Sequence, residues 1–304
     1  MKPQYLGVLL LLGALWGTSF LFIKIAVVEM PPETLVALRL VVGALILLAA
    51  LYGTGGRLPA TRRAWRDFVF TGIFGLLLPF TLITWGEQSI SSGMASILNA
   101  TTPLFTALVA YIWLRSDHLT GWKLLGVVLG FAGVIVAVGV SDLSIGSAST
   151  QGQLAVLVAA ACYGVSGVYA RQAYKGLPPL VPATGQLVCG ALLMLPIALF
   201  ANGVPNALPS AQALGAVVAL GLFGTAIAYI LLYWLMARIG STRASMVTYL
   251  LPPFALVYGA LFLKEIIPLH ALLGLALVIV GILLSNNMIR LPGAKPAVAG
   301  RTPS

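Results

Sequence analysis

Trp16-Gly17-Thr18-Ser19-Phe20-Leu21-Phe22-Ile23-Lys24 is written again as Tyr163-Gly164-Val165-Ser166-Gly167-Val168-Tyr169-Ala170-Arg171, about 147 residues later. Gly17 returns as Gly164, Ser19 as Ser166, and Lys24 as the equally basic Arg171. The echo extends on both sides. Pro31-Pro32 recurs as Pro178-Pro179, and Val41 with Gly43-Ala44-Leu45 as Val188 with Gly190-Ala191-Leu192. At an offset of about 149, Gly72, Phe74 and Gly75 match Gly221, Phe223 and Gly224. Trp85 matches Trp234, Ala95-Ser96 match Ala244-Ser245, and Pro103 matches Pro252. The chain is one unit written twice.

Its solvent is lipid. Of 304 residues 60% are hydrophobic and only 8% charged, and the mean hydropathy is +1.03. A soluble domain carries roughly a quarter charged residues. A bilayer core about 30 Å thick needs roughly 20 apolar residues in a helix. Such windows fall near 5–24, 34–52, 67–86, 93–114 and 122–140, then near 152–171, 181–201, 211–236, 242–263 and 269–289. Membrane strands would instead alternate polar and apolar in segments of about ten residues. The reading is an all-α integral membrane protein with ten transmembrane helices. Residues 1–145 form one five-helix repeat and 146–290 the next. An odd number of spans per copy inverts the second relative to the first. The joint near 141–150 is polar and rich in small residues, and the Pro/Gly/Ala-rich tail 291–304 is expected to be disordered and cytoplasmic. No small-x-small cleavage site follows the first apolar run, so that run is read as a retained helix.

The net charge of +10 sits in short loops rather than in a patch, which points to anionic headgroups and away from nucleic acid. With both termini inside, 14 of the 17 basic residues are cytoplasmic, Lys24 and Lys264 are outside, and Arg39 lies within a span. The loop near 53–66 has four arginines and its copy near 202–210 none. The loop near 87–92 has no basic residue and its copy near 237–243 two. Opposite-facing copies require this alternation. Gly13-xxx-Gly17 and Gly126-xxx-Gly130 mark close helix contacts. Cys162 and Cys189 lie in apolar runs and read as buried hydrophobes, with no disulfide framework and no metal spacing.

Several strings resemble the EamA-type family of the drug/metabolite transporter superfamily. They are Trp16 to Phe20 with Lys24, Pro31-Pro32, Arg39, Ser92-Gly93-Met94-Ala95-Ser96, Pro103 and the Gly126 to Gly133 run. The second copy adds Arg243-Ala244-Ser245, Pro252, Lys264-Glu265, and Gly274 with Gly281. The likeness covers about residues 5–290. It implies an inner-membrane exporter of small metabolites whose central cavity is lined by spans 1, 3, 4, 6, 8 and 9. Small four-span multidrug proteins, which resemble one repeat, carry a glutamate in their first span. Here that place reads Gly13-Ala14-Leu15-Trp16.

The polar and aromatic residues at membrane depth fall in corresponding spans of the two copies. Trp16, Ser19 and Phe20 face Tyr163 and Ser166 in the other copy. Thr81 and Trp85 answer to Tyr229 and Tyr233, and Asn99 and Thr102 to Thr248 and Tyr249. Singly, each is as readily an interfacial aromatic or a hydroxyl bonded to its own helix. As a set they predict a mid-membrane solute site walled by aromatics with scattered hydrogen-bonding groups. Pro103 and Pro252 read as kinks or hinges whose freed carbonyls face the cavity. Arg39 costs about 3 kcal/mol at a helix centre. It reads first as one half of a structural ion pair with Glu33 or Glu87, then as a gate or a contact for a substrate carboxylate. The fifth and tenth spans are apolar and serve as scaffold or as the surface of a homodimer.

The remaining acids sit near helix ends, so a mid-membrane carboxylate relay is not visible, and Glu87 is the best remaining candidate. Facilitated diffusion or weakly coupled exchange is the expectation. No Walker A string, nucleophile elbow or metal-ligand cluster stands out, so no cofactor, metal or enzymatic activity is expected. The leading function is export of small amphiphilic or zwitterionic, amino-acid-like metabolites by alternating access. Transport of phosphorylated compounds or nucleotide sugars, or flipping of lipid headgroups, ranks lower because only Arg39 offers a deep positive charge. An intramembrane enzyme ranks last.

Overall fold

The computed structural model describes residues 3–114, 121–139, 147–204, 208–239 and 244–285. The expected tail 291–304, residues 141–146 of the joint and the side chain of Tyr233 lie outside them. The described elements are all helical. In the first repeat α1 is Pro3–Ala26, α2 is Pro32–Gly53, and α3 runs through Arg62–Gly72, Ile73–Leu77 and Leu78–Gly86. α4 is split into Ser92–Asn99 and Thr102–Leu114, and α5 is Gly121–Val138. In the second repeat α6 is Ala148–Ala173, α7 is Leu180–Asn202, and α8 runs through Ala211–Gly221, Leu222–Ile227 and Ala228–Ile239. α9 joins Ser245–Tyr249 to Leu251–Phe262, and α10 is Leu269–Ser285. Eight helices have at least 18 residues and the hydropathy to cross a bilayer; Met246–Phe262 and α10 are shorter apolar helices.

Local chemistry sets the helix ends. Thr61 and Ser210, at matching places in the two copies, accept from the backbone N–H of Ala64 and Ala213 and so cap α3 and α8. Ser91 and Ser147 do the same for α4 and α6. Thr61 lets α3 begin at Arg62, before the window the hydropathy outlines, because the first turn carries Arg62, Arg63 and Arg66. Outward faces are apolar: Phe200 is 95% exposed and Ile112 73%. In lipid such residues carry no penalty.

Contacts repeat under exchange of the halves. α1 packs on α8 and α9, as α6 packs on α3 and α4. α3 meets α7 as α8 meets α2, while α2 pairs with α7 and α5 with α10. Glycines make the exchange visible. A Cβ on Gly17 would lie 2.6 Å from Phe254 Cβ, and one on Gly164 would lie 3.1 Å from Phe105 Cβ. Contacts between helix ends give the relative direction. Tyr5 at the start of α1 meets Trp234 at the end of α8, and Asp67 at the start of α3 accepts from Tyr169 at the end of α6. The repeats therefore run in opposite directions.

Four spans are not the continuous helices their hydropathy suggests. α3 and α8 each contain a π-helical turn, Ile73–Leu77 and Leu222–Ile227, at equivalent positions. Each turn adds a residue to the helical round and turns the remaining face. α4 breaks at Ala100–Thr101 just before Pro103, and α9 tightens into a 3₁₀ turn just before Pro252. The carbonyl that Pro103 frees, Asn99 O, accepts from Thr102 Oγ1 at 2.7 Å and is satisfied locally instead of lying open to the cavity.

α5 and α10 meet at backbone distance. A Cβ on Gly126 would lie 2.5 Å from Ser285 N, and one on Gly133 2.7 Å from Val278 N. The small residues leave room only for each other.

Candidate functional site

The midpoint of the bundle encloses a cavity of about 230 Å³. Its walls come in pairs from the two copies: Trp16 with Tyr163, Phe80 with Tyr229, Ile83 with Leu232, Asn99 with Thr248, and Thr102 with Leu251. Trp16 and Tyr229 meet edge to face at 6.3 Å. Ser19 and Phe20 complete the α1 wall. Two polar atoms at the wall, Ser19 Oγ and Asn99 Oδ1, are buried with no hydrogen-bond partner. An unpaired buried polar atom costs on the order of 1–3 kcal/mol, which a polar solute can offset.

Arg39 is the one charged residue of the wall. It is 4% exposed, so it does not snorkel out of the membrane. Its Nε donates to Thr225 Oγ1 at 3.0 Å and its Nη2 approaches the Gly224 carbonyl at 3.5 Å. The guanidinium carbon lies 3.8 Å above the Phe80 ring. The expected ion pair with Glu33 or Glu87 is absent among the described residues, where Arg66–Asp67 is the only pair within 4.0 Å. The π-turn explains the outcome: it presents Thr225 and the Gly224 carbonyl to α2, at a distance where Arg39 meets them before any acid. The same position in the second copy is Gln186: its backbone carbonyl faces Gly72 and its side-chain amide oxygen faces Gly75, as the Arg39 backbone carbonyl faces Gly221 and its Nη2 faces Gly224. The scaffold is duplicated and the charge is not.

Not every expected site residue reaches the cavity. Thr81 donates to Leu77 O at 2.7 Å, and Trp85 is 42% exposed on the outside of α3. Both follow the π-turn, which brings Phe80 and Ile83 inward in their place. Ser166 packs on Gly75, where an added Cβ would come 2.5 Å from its Oγ. Tyr249 packs partly buried against the hydrophobic core. Pro103 and Pro252 stand at the helix breaks rather than in the wall. The sequence passes over Phe80, Ile23, Ile83, Leu232 and Leu251 because it carries no polar signal there, although Phe80 was recoverable as the counterpart of Tyr229.

The acids at helix ends are not equivalent. Glu29 accepts from Ser210 N at 2.7 Å and Ser210 Oγ at 2.6 Å, and these bonds hold its carboxyl below the usual carboxylate range. Glu265 accepts from Ser92 N, Ser92 Oγ and Gly93 N at 2.8, 2.9 and 3.1 Å, binding the α9 end to the α4 start. Glu87, directly after α3, is fully buried and neither carboxyl oxygen has a hydrogen-bond partner. Burial pushes its carboxyl well above the usual range, Glu265 adding to the shift while Lys24 and Arg39 oppose it. Lys24 is more than an anchor: its Nζ donates to the backbone carbonyls of Glu87 and Ile90 at 2.5 and 2.8 Å. At the opposite end, Asp67 receives Tyr169 at 2.7 Å, and Thr71 bonds the Tyr174 hydroxyl.

A polytopic bundle of two opposed repeats around a paired central cavity has the architecture of a membrane transporter. The model of the EamA-like transporter family matches this chain twice, over residues 5–139 and 150–287, and the chain belongs to that family. It is similar to the uncharacterized transporter YoaV of Bacillus subtilis (strain 168), at 27% identity over 90% of this chain and 93% of that one. It is also similar to YdfC of the same organism, an uncharacterized transporter, at 30% identity over 87% of this chain and 85% of its relative. The uncharacterized inner membrane transporter YedA of Escherichia coli (strain K12) is 27% identical over 96% and 94%. A solved crystal structure shares the fold with a TM-score of 0.68, at 20% identity, over 95% of this chain and 98% of its own.

Proposed function

We propose that this transporter exports small zwitterionic or amphiphilic, amino-acid-like metabolites across the bacterial inner membrane, by alternating access of the central cavity to the two faces. The carrying observation is Arg39: a buried guanidinium in the cavity wall with no acid partner among the described residues. Removing such a charge from water costs several kcal/mol, and a carboxylate is the partner that offsets it best. Trp16, Phe80, Tyr163 and Tyr229 provide faces for an apolar or aromatic side chain and for an ammonium group. Asn99 and Ser19 bring unpaired polar atoms. A phosphate ester would call for further basic residues, and the wall has only one. The helix breaks before Pro103 and Pro252 are where the cavity helices bend as access switches. The sequence's charge asymmetry supports cytoplasmic termini, which reporter fusions at each end test.

The decisive assay is counterflow of a panel of radiolabelled amino acids in proteoliposomes. Trp16→Ala and Tyr163→Ala variants should insert normally and lose most of the flux. Unchanged flux in both would sink the assignment of the cavity.

A further inference from the structure

Glu87 stands between the solute cavity and water. Ile83, one turn before it, and Ile23, beside Lys24, line the central cavity. Ser89 and Ile90, just after it, line one crevice at the end face, which Glu265 and His270 share. Lys24 lines a second, with Glu29 and Glu265. Between these openings the Glu87 side chain is 0% exposed, and neither of its carboxyl oxygens has a hydrogen-bond partner. A structural carboxylate of a buried helix end accepts N–H or O–H donors, as Glu265 does from Ser92 and Gly93. Glu87 has none, although Lys24 is near enough to donate to its backbone carbonyl.

We propose that Glu87 is a proton-binding site that couples proton movement to solute movement. The proposal rests on the cavity being the solute site. The charged groups around Glu87 are Lys24 from α1, Arg39 from α2 and Glu265 after α9. The first half of α4, Ser92–Asn99, and the α6 segment 148–157 bring no titratable side chain. With the cavity empty, burial favours the protonated carboxyl and the fields of Lys24 and Arg39 oppose it. A solute carboxylate seated on Arg39 cancels that residue's share of the opposing field, and Glu87 then holds its proton more tightly. One proton from water adds to one carboxylate oxygen as the solute binds, and it leaves to water when the solute leaves. Solute and proton therefore travel in the same direction, so export runs down an outward solute gradient and carries one proton out with each solute. The proposal departs from the facilitated diffusion or weakly coupled exchange expected from the absence of a mid-membrane acid.

Two measurements on the full-length protein test the proposal. The first needs no solute: infrared titration of the carboxylic C=O stretch, wild type against Glu87→Gln. One band, absent from the variant, should titrate over a pH range above that of ordinary carboxyls. A variant difference spectrum that is flat across that range overturns the proton site. The second uses L-phenylalanine in proteoliposomes. Wild type should accumulate it about tenfold for each unit of pH gradient at one proton per solute. Glu87→Gln should keep counterflow and lose accumulation, and Glu87→Asp should keep both with a shifted pH profile. Counterflow in wild type that ignores the pH gradient overturns the coupling. Absence of counterflow for phenylalanine and for the whole amino-acid panel overturns the solute reading, and with it the coupling.

Discussion

A single guanidinium organises the proposed solute site. Arg39 holds its place through Thr225, the Gly224 carbonyl and the Phe80 face, none of which neutralises it. Replacing it with the residue its own duplicate carries, Arg39→Gln, should leave folding intact. The KM for amino acids should rise about 10- to 100-fold, the loss expected for one charge-assisted contact. A decarboxylated amine analogue should show no such change, and counterflow with both solutes reads the difference. Glu29 offers a titration at the end face. Its folded pKa is depressed by Ser210, so its contribution is present above the unfolded value of about 4.3 and is lost as pH falls through the folded value. Wild type should therefore melt above Glu29→Gln at neutral pH, and the two should converge in acid. A gap that persists in acid would remove the hydrogen bonds to Ser210 as its cause. At this scale sequence reading placed at one cavity wall the residues the repeat marks in both copies, as Trp16 with Tyr163 and Asn99 with Thr248. It passed over Phe80, which has no polar atom to betray it, and it singled out Glu87 without any sign that this connecting-segment acid is buried.

Among the elements, the ten helices were legible because lipid demands long apolar runs and tolerates little else. Their interruptions were not. Ile73–Leu77 and Leu222–Ile227 contain ordinary helix-compatible residues, and the π geometry arises from packing against the neighbouring copy. Gly75 closes on Ser166 and Gly224 on Ser19. Hydropathy cannot sense such a turn, which is why Thr81 and Trp85 were expected inside. The sequence marks Gly126 and Gly130 as a close helix contact but leaves α5 and α10 as scaffold or oligomer surface; within the chain they pair with each other. Gly133→Leu must push a side chain against the Val278 backbone, an overpacking cost of about 1–3 kcal/mol. Thermal unfolding in detergent should fall accordingly, while a variant at the lipid-facing Ile135, such as Ile135→Leu, should not differ from wild type.

The whole molecule divides into a paired scaffold and two ends held by hydrogen-bonded ties. At one end Glu29 ties α1 to α8 and Glu265 ties α9 to α4; at the other Asp67 and Thr71 tie α3 to α6. Alternating access requires these ties to break in turn. In a background lacking Cys162 and Cys189, the only cysteines, Glu29→Cys combined with Ser210→Cys should form a disulfide that stops flux. Reduction should restore it. Full flux under oxidation, with the cross-link verified by mass spectrometry, would show that this end does not open.

Perfect duplication would leave a two-faced carrier indifferent to which way it points. Exchanging identical halves converts one end state into the other, so the two would be equally populated in a symmetric bilayer. Here the exchange maps Arg39 onto Gln186, and Thr225 onto Leu76. In the alternating access proposed above, this inequality makes the two end states differ in energy before any solute arrives. A resting posture, and with it a sidedness of first encounter, is thereby written into one unequal pair of residues.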